Sequence, residues 1–352
     1  YQDSCSDSFF IDYSCDGKKP YYVNVDCENG CDKKEGECDK RIDTSELIIF
    51  REKIDSELIF PIKGTDRWDV NTRQFLKQFY QTYGDYYDFI LIFPTKHLHS
   101  SFEVSVNFNI KGIGQDNYPP NLFKEANTKR LKSLGVLSFY SSWEEFYNTD
   151  MEEQINTPQK NLLYTVLIHE IGHYWLAHAK GLGGQAIHWR YNLDLFNGNP
   201  NYVDIMGFYQ WIRNDSGDTC VDGNDAETIN KFSDLDLYLM GLISKEQVKP
   251  IKIHDFKEKA NNSHYNTYGP SCFDTPEFLD TREVSIEEII KLNEKRIPSY
   301  EDSQKEFRVA FVILADKDSE IPQGFIDYVN LYKNALPDAW YLATSHNSKI
   351  EY

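Results

Sequence analysis

The residues best suited to chemistry in this chain occupy five consecutive positions, His169-Glu170-Ile171-Gly172-His173. On a helix, positions i and i+4 lie one turn apart on one face, so two imidazoles can converge on a single metal ion. Glu170 follows the first histidine and stands beside such an ion, where its carboxylate can accept a proton from bound water. Zinc suits this role because it lowers the pKa of bound water to about 7, which gives a nucleophile at neutral pH. The plainer alternative is a pair of core histidines beside a surface glutamate. Gly172 argues for a special environment. An interior helical glycine costs about 1 kcal/mol against alanine, so a close neighbour is expected there.

The element that must carry these residues is a helix expected over Pro158–Lys180. Thr157 offers a hydroxyl N-cap and Pro158 a first-turn proline. Tyr164, Leu167, Ile168, Ile171 and Trp175 recur at helical spacing, and Leu162 and Val166 share the face of the two histidines. Both faces are apolar, which predicts a buried helix. Gly181 and Gly183–Gly184 supply its stop.

This motif in this setting resembles the zincin superfamily of metallopeptidases. The resemblance implies peptide-bond hydrolysis, with zinc on the helix, Glu170 as general base and a third protein ligand further along. Metzincins would place glycine three and histidine six residues after His173. Leu176 and Ala179 stand there, so that pattern fails. His178 lies about 140° around the helix from His173 and could reach the metal only if the helix broke first.

The stretch Ser233-Asp234-Leu235-Asp236-Leu237-Tyr238-Leu239-Met240-Gly241-Leu242 supplies the preferred third ligand. Carboxylates embedded in so apolar a segment need a partner, and a zinc ion would be one. Asp236 is the expected ligand, with Asp234 as the lesser choice. The arrangement resembles zincins whose third ligand is an acid on a second helix, although their usual Asp-x-x-Tyr-Gly ending is missing. A structural role stays open: Ser233 as N-cap with Asp236 three residues on forms a capping-box pattern, and Asp234 fits the first turn. Met240 is a candidate apolar floor for the metal.

Tyr238 and His188 are the candidates for stabilising the negative charge that develops on the carbonyl oxygen in the transition state. His188 could equally line a pocket wall. Asp204-Ile205-Met206-Gly207, near Trp211, reads as cleft material or as aromatic core. The acidic run Asp215–Glu227 contains Asp218, Asp222, Asn224, Asp225 and Glu227 with Gly217 and Gly223. Hard oxygen ligands in such a loop suit calcium, and a solvated loop is the alternative. Asn214-Asp215-Ser216 and Asn261-Asn262-Ser263 match glycosylation sequons.

Around these residues the composition is that of a folded protein: 352 residues, 40% hydrophobic and 15% aromatic. A formal charge of −19 repels phosphate backbones and anionic lipid, which argues against nucleic acid and polybasic membrane anchoring. No apolar run reaches the roughly 20 residues of a membrane span. The chain starts at Tyr1, and this is read as a mature or trimmed product. Five of seven cysteines (Cys5, Cys15, Cys27, Cys31 and Cys38) fall in the first 38 residues, where aliphatic residues are scarce. A segment so poor in core residues needs covalent staples, so residues 1–43 are expected to be a small disulfide-rich module in an oxidising compartment. Structural zinc is the competing reading of these cysteines, and Cys220 is a possible partner of Cys272. The pattern Cys27-Glu-Asn-Gly-Cys31 with Gly36-Glu-Cys38 resembles small modules of archaeal secreted and surface proteins.

Residues 44–352 are expected to form the zincin-like catalytic domain. The periodicity predicts strands at Leu47–Phe50, Leu58–Ile62, Phe89–Phe93, Phe102–Ile110 and Phe307–Ala315. It predicts helices at Thr72–Tyr83, from Ser233, at Ser285–Glu294 and near Gln323–Lys333. The class is α+β: a mixed sheet, an active-site helix and a second helical ligand segment. The functional expectation is a secreted or cell-surface zinc endopeptidase acting on a protein or peptide substrate. The alternatives are a surface adhesion protein on the same scaffold without turnover, and a zinc amidase acting on a non-protein polymer. Retention of Glu170 argues against the binding-only reading.

Overall fold

The computed structural model describes residues 4–6, 9–11, 47–52, 58–61, 68–95, 102–105, 110–114, 128–137, 162–182, 188–190, 192–199, 201–207, 209–214, 217–222, 228–256 and 278–352. The chain divides into a unit of Tyr1–Ile48 with Tyr352 and a unit of Ile49–Glu351. In the first, strands β1 (Ser4–Ser6) and β2 (Phe9–Ile11) pair antiparallel. The disulfide expectation rests on side chains outside the described residues.

The larger unit mixes helices and sheets. In chain order it runs β3 (Ile48–Glu52), β4 (Ile59–Pro61), β5 (Trp68–Val70), α1 (Thr72–Tyr83), β6 (Phe89–Pro94), β7 (Phe102–Ser105), β8 (Ser133–Val136) and α2 (Leu162–Gly172). It continues with β9 (Leu193–Asp194), β10 (Tyr202–Asp204), β11 (Tyr209–Asn214), β12 (Gly217–Asp222), β13 (Ile229–Lys231), α3 (Asp234–Met240), β14 (Ile251–Phe256) and β15 (Phe278–Val284). It closes with α4 (Ile286–Asn293), β16 (Glu306–Asp316), α5 (Gln323–Ala343) and β17 (Lys349–Glu351).

The main sheet has the order β17-β16-β6-β8-β7, with β3 also paired to β16. Pairs β16/β17, β16/β6 and β6/β8 are parallel, and β7 joins antiparallel at the edge. The central strands read Phe-Ile-Leu-Ile-Phe and Val-Ala-Phe-Val-Ile-Leu and are buried along almost their whole length. Continuous apolar runs are what a parallel strand covered on both faces requires. Asp88, fully buried at the entry to β6, ties this end of the sheet together. Its carboxylate accepts from Arg130, Lys132 (each 3.0 Å), the Gln304 amide (2.9 Å) and the Arg308 backbone (2.9 Å).

Helix α2 ends at Gly172, eight residues short of the expected Lys180. Beyond it, Trp175 N–H and Leu176 N–H both bond back to the Gly172 carbonyl at 2.9 and 3.1 Å. The Ala177 backbone then turns to φ +66°. His178 points its ring at the His173 carbonyl (Nε2···O 3.2 Å) and satisfies one of the orphan acceptors of the helix end. Aromatic packing fixes this early stop. The Trp175 ring sits 5.7 Å from Phe89 of β6, 5.5 Å from Phe307 of β16 and 6.5 Å from Trp340 of α5. The N-cap expected at Thr157 lies outside the described residues.

Two further elements differ from expectation. Helix α5 runs ten residues past Lys333 and passes through Pro337. Leu336, Ala339, Trp340 and Ala343 continue its buried face, and that burial outweighs the hydrogen bond that proline removes. The expected acidic loop is in part a hairpin, with β11 and β12 in register from Tyr209↔Asp222 to Asn214↔Gly217. Asp218 and Asp222 are therefore strand residues. Asn224, Asp225 and Glu227, the rest of the calcium expectation, lie outside the described residues, as does Cys272.

Candidate metal centre

Three imidazoles meet at the end of α2. Among the described residues, His169, His173 and His188 form a group whose possible ligand nitrogens all lie within 4.8 Å of one another. Ring centroids are 4.3 Å apart for His169–His173, 4.9 Å for His169–His188 and 5.1 Å for His173–His188. His169 Nε2 and His188 Nε2 are 3.0 Å apart. Two nitrogens bound tetrahedrally to one zinc ion at the usual bond length sit about 3.3 Å apart, so the spacing fits with only small side-chain adjustments.

His169 is oriented by its other nitrogen. Nδ1 lies 2.8 Å from the Ile205 carbonyl, which can only accept, so Nδ1 carries the hydrogen and Nε2 is left as the ligand atom. Burial, then the neighbouring His188, hold the His169 imidazole down to about 3, against a smaller upward pull from the carbonyl. Burial also lowers His188. Both rings are therefore neutral at pH 7, the form that binds a metal.

Asp236, the expected third ligand, does not join this group. Asp236 is fully buried and its two oxygens are engaged elsewhere. Oδ1 accepts from the Trp189 indole N–H at 2.7 Å, and Oδ2 accepts from the Ser233 N–H at 2.9 Å and the Ser233 hydroxyl at 2.5 Å. With Asp236 N–H on Ser233 Oγ this completes the capping box of α3, the structural alternative that the sequence left open. His188, expected at the oxyanion, is instead grouped with His169 and His173, where it could serve as a third ligand. Its cue in the sequence was weak: a histidine fifteen residues past the motif, beyond a Gly-rich turn, with tryptophan next to it.

Tyr238 does not join this group. It is buried, burial pushes its phenol up, and it lines a cavity of about 290 Å³ with Lys245, Lys295, Arg296 and Tyr300 that includes none of the three histidines. Met240 is also buried, on the same short helix. Methionine does lie against the motif, but it is Met206. A Cβ placed on Gly172 would come within 2.9 Å of Met206 Sδ and 3.3 Å of the Phe232 ring. Gly172 is glycine because the 204–207 turn presses against the helix there. Asp204, Ile205 and Met206 are at most 1% exposed, so this turn is an underlay of the site and not a cleft wall.

Glu170 is largely buried, and that burial raises its carboxyl to about 7. A group poised there exchanges protons readily at neutral pH. A bound dication would pull it lower and favour the ionised base. Compared with protein-family models, with curated proteins and with solved structures, the chain matches none.

Proposed function

We propose that this chain is a zinc-dependent hydrolase of the zincin type, cleaving peptide bonds, with His169, His173 and His188 as metal ligands and Glu170 as general base. The convergence of three imidazoles within 4.8 Å carries the reading. His169 lies in α2, His173 follows directly on its last residue with its N–H bonded to the His169 carbonyl at 3.1 Å, and the third comes from a separate segment, which is the donor set of a catalytic site and not of a closed structural one. Zinc, when held there, supplies an acidified water and polarises the scissile carbonyl. Glu170 is placed to accept a proton from such a water and would hand it to the departing amine. The Ile205 carbonyl keeps the His169 ring in its binding tautomer throughout.

Protein substrates are favoured over a non-peptide amide only by the zincin resemblance of His169–His173. The exported location is motivated by the cysteines of residues 1–43. Among the described residues no helix is long and apolar enough to cross a membrane.

The test is cleavage of unfolded casein and a peptide library by the purified chain, with and without a zinc chelator and with Glu170→Gln. Cleavage lost in both controls supports the proposal. Cleavage that survives Glu170→Gln unchanged would refute the assigned base. One bound zinc without turnover on any substrate would favour a binding protein.

A further inference from the structure

We propose that the buried pair Asp204–Asp236 is a positioning device for the metal centre. Asp236 fixes His188 through the Trp189 indole, and Asp204 fixes His169 through the turn that presents the Ile205 carbonyl. The inference rests on the metal reading of the three histidines.

The Trp189 indole donates to Asp236 Oδ1 at 2.7 Å, one residue after His188. Asp204 Oδ1 accepts from Met206 N–H at 2.8 Å and closes the turn whose Ile205 oxygen meets His169 Nδ1 at 2.8 Å. Trp189 N–H reaches the Met206 carbonyl at 3.2 Å, so the turn and the His188 segment are also joined through the backbone. Asp204 is hydrogen-bonded to Asp236, which joins the two arms.

Asp236 itself cannot drift. Helix α3 is held at its start by the Ser233 capping box. At its end the Arg296 guanidinium donates to the Leu239 and Met240 carbonyls, both at 2.8 Å. A capping box alone does not explain why a second carboxyl is buried against the first, since two buried acids in contact are costly. Asp236 accepts from the Trp189 indole and twice from Ser233, so its two oxygens are filled by protein donors. Among the described residues no donor reaches Asp204 Oδ2, and burial, then the neighbouring Asp236, raise the Asp204 carboxyl well above the usual carboxylate range.

This division of roles makes the two acids unequal. Asparagine at 204 can still accept from Met206 N–H and donate to Asp236. Asparagine at 236 must turn its amide N–H₂ towards the Trp189 N–H or the Ser233 donors. Polar partners behind metal-binding histidines typically contribute about 10- to 100-fold to metal affinity.

The experiment is cobalt(II) titration of the full chain, followed by its visible absorption band, with zinc affinity from chelator competition. Thermal unfolding of the metal-free protein is measured in parallel. Trp189→Phe, Asp236→Asn and Asp204→Ala should each weaken cobalt binding about 10- to 100-fold. Asp204→Asn should restore affinity to within about threefold of the parent, on the donor geometry just given. Trp189→Phe combined with Asp236→Asn should lose no more than the worse single change, because both break one link. If Asp236→Asn does not fold, the contrast between Trp189→Phe and Asp204→Asn decides. Equal losses for Asp204→Asn and Asp204→Ala, or unchanged cobalt affinity in Trp189→Phe, would overturn the positioning role. A parent protein that takes up no cobalt would overturn the metal reading and this inference with it.

Discussion

The indole N–H of Trp189 donates to the carboxylate of Asp236 at 2.7 Å, with both side chains buried. That bond explains why a carboxylate in an apolar helix lies next to the three-histidine group without entering it. The partner that Asp236 needs is the residue next to a ligand. The same contact places His188, and not an acid, beside His169 and His173.

Replacing His188 by alanine is expected to strip the ion. Dialysed against a weak chelator, the parent should keep about one zinc per chain and His188→Ala almost none, because two-histidine sites bind zinc poorly. His178→Ala should retain zinc, since its ring serves the His173 carbonyl as an end-cap and lies outside the cluster. Metal analysis by mass spectrometry checks both.

Glu170 predicts a pH-dependent stability in the metal-free protein. Its ordinary pKa is 4.5 and the folded value is about 7, so between these the native state holds a proton that the unfolded chain has released. Its contribution is therefore present below about pH 4.5 and declines as pH rises towards 7. Glu170→Gln removes that loss. The variant should match the parent at pH 4.5 and exceed it at pH 7.5 by up to about 3 kcal/mol, following 1.36 kcal/mol per pKa unit. Urea unfolding at the two pH values reads the difference.

Much of the frame was legible in the sequence. Helix α1 spans the expected Thr72–Tyr83, and β6, β16 and α4 fall within a residue of their predicted ends, because strong periodicity and Ser285 capping mark them locally. The two helical histidines and Glu170 share one turn, so their proximity is also local information. The approach of His188 to His169 and His173 was not legible, because its position depends on Trp189 meeting Asp236 across 47 residues. Likewise α2 stops early because Trp175 packs among Phe89, Phe307 and Trp340, residues of three other elements.

Gly172 should tolerate little. Alanine gains about 1 kcal/mol of helix propensity. Its Cβ must, however, displace Met206 Sδ from 2.9 Å and press the Phe232 ring at 3.3 Å. The flexible thioether can yield and the ring cannot easily, so Gly172→Ala should lose about 1 kcal/mol and Gly172→Val about 3 kcal/mol, the range of overpacked cores. Both should also weaken zinc binding, since Met206 follows the Ile205 carbonyl that holds His169. Equilibrium unfolding and zinc competition test the pair.

Trp175 should be among the most sensitive core positions. Trp175→Ala is expected to cost about 3–5 kcal/mol, as deletion of a fully buried large aromatic does. Trp175→Phe, which keeps part of the ring contact, should cost less. Thermal and urea unfolding would show the order.

The most direct measurement is anomalous diffraction at the zinc edge from crystals of the zinc-loaded chain. The account predicts one peak within about 2.1 Å of nitrogens from His169, His173 and His188, with Asp236 still bonded to Trp189. A peak ligated by Asp236, or no peak among the three imidazoles, would contradict it.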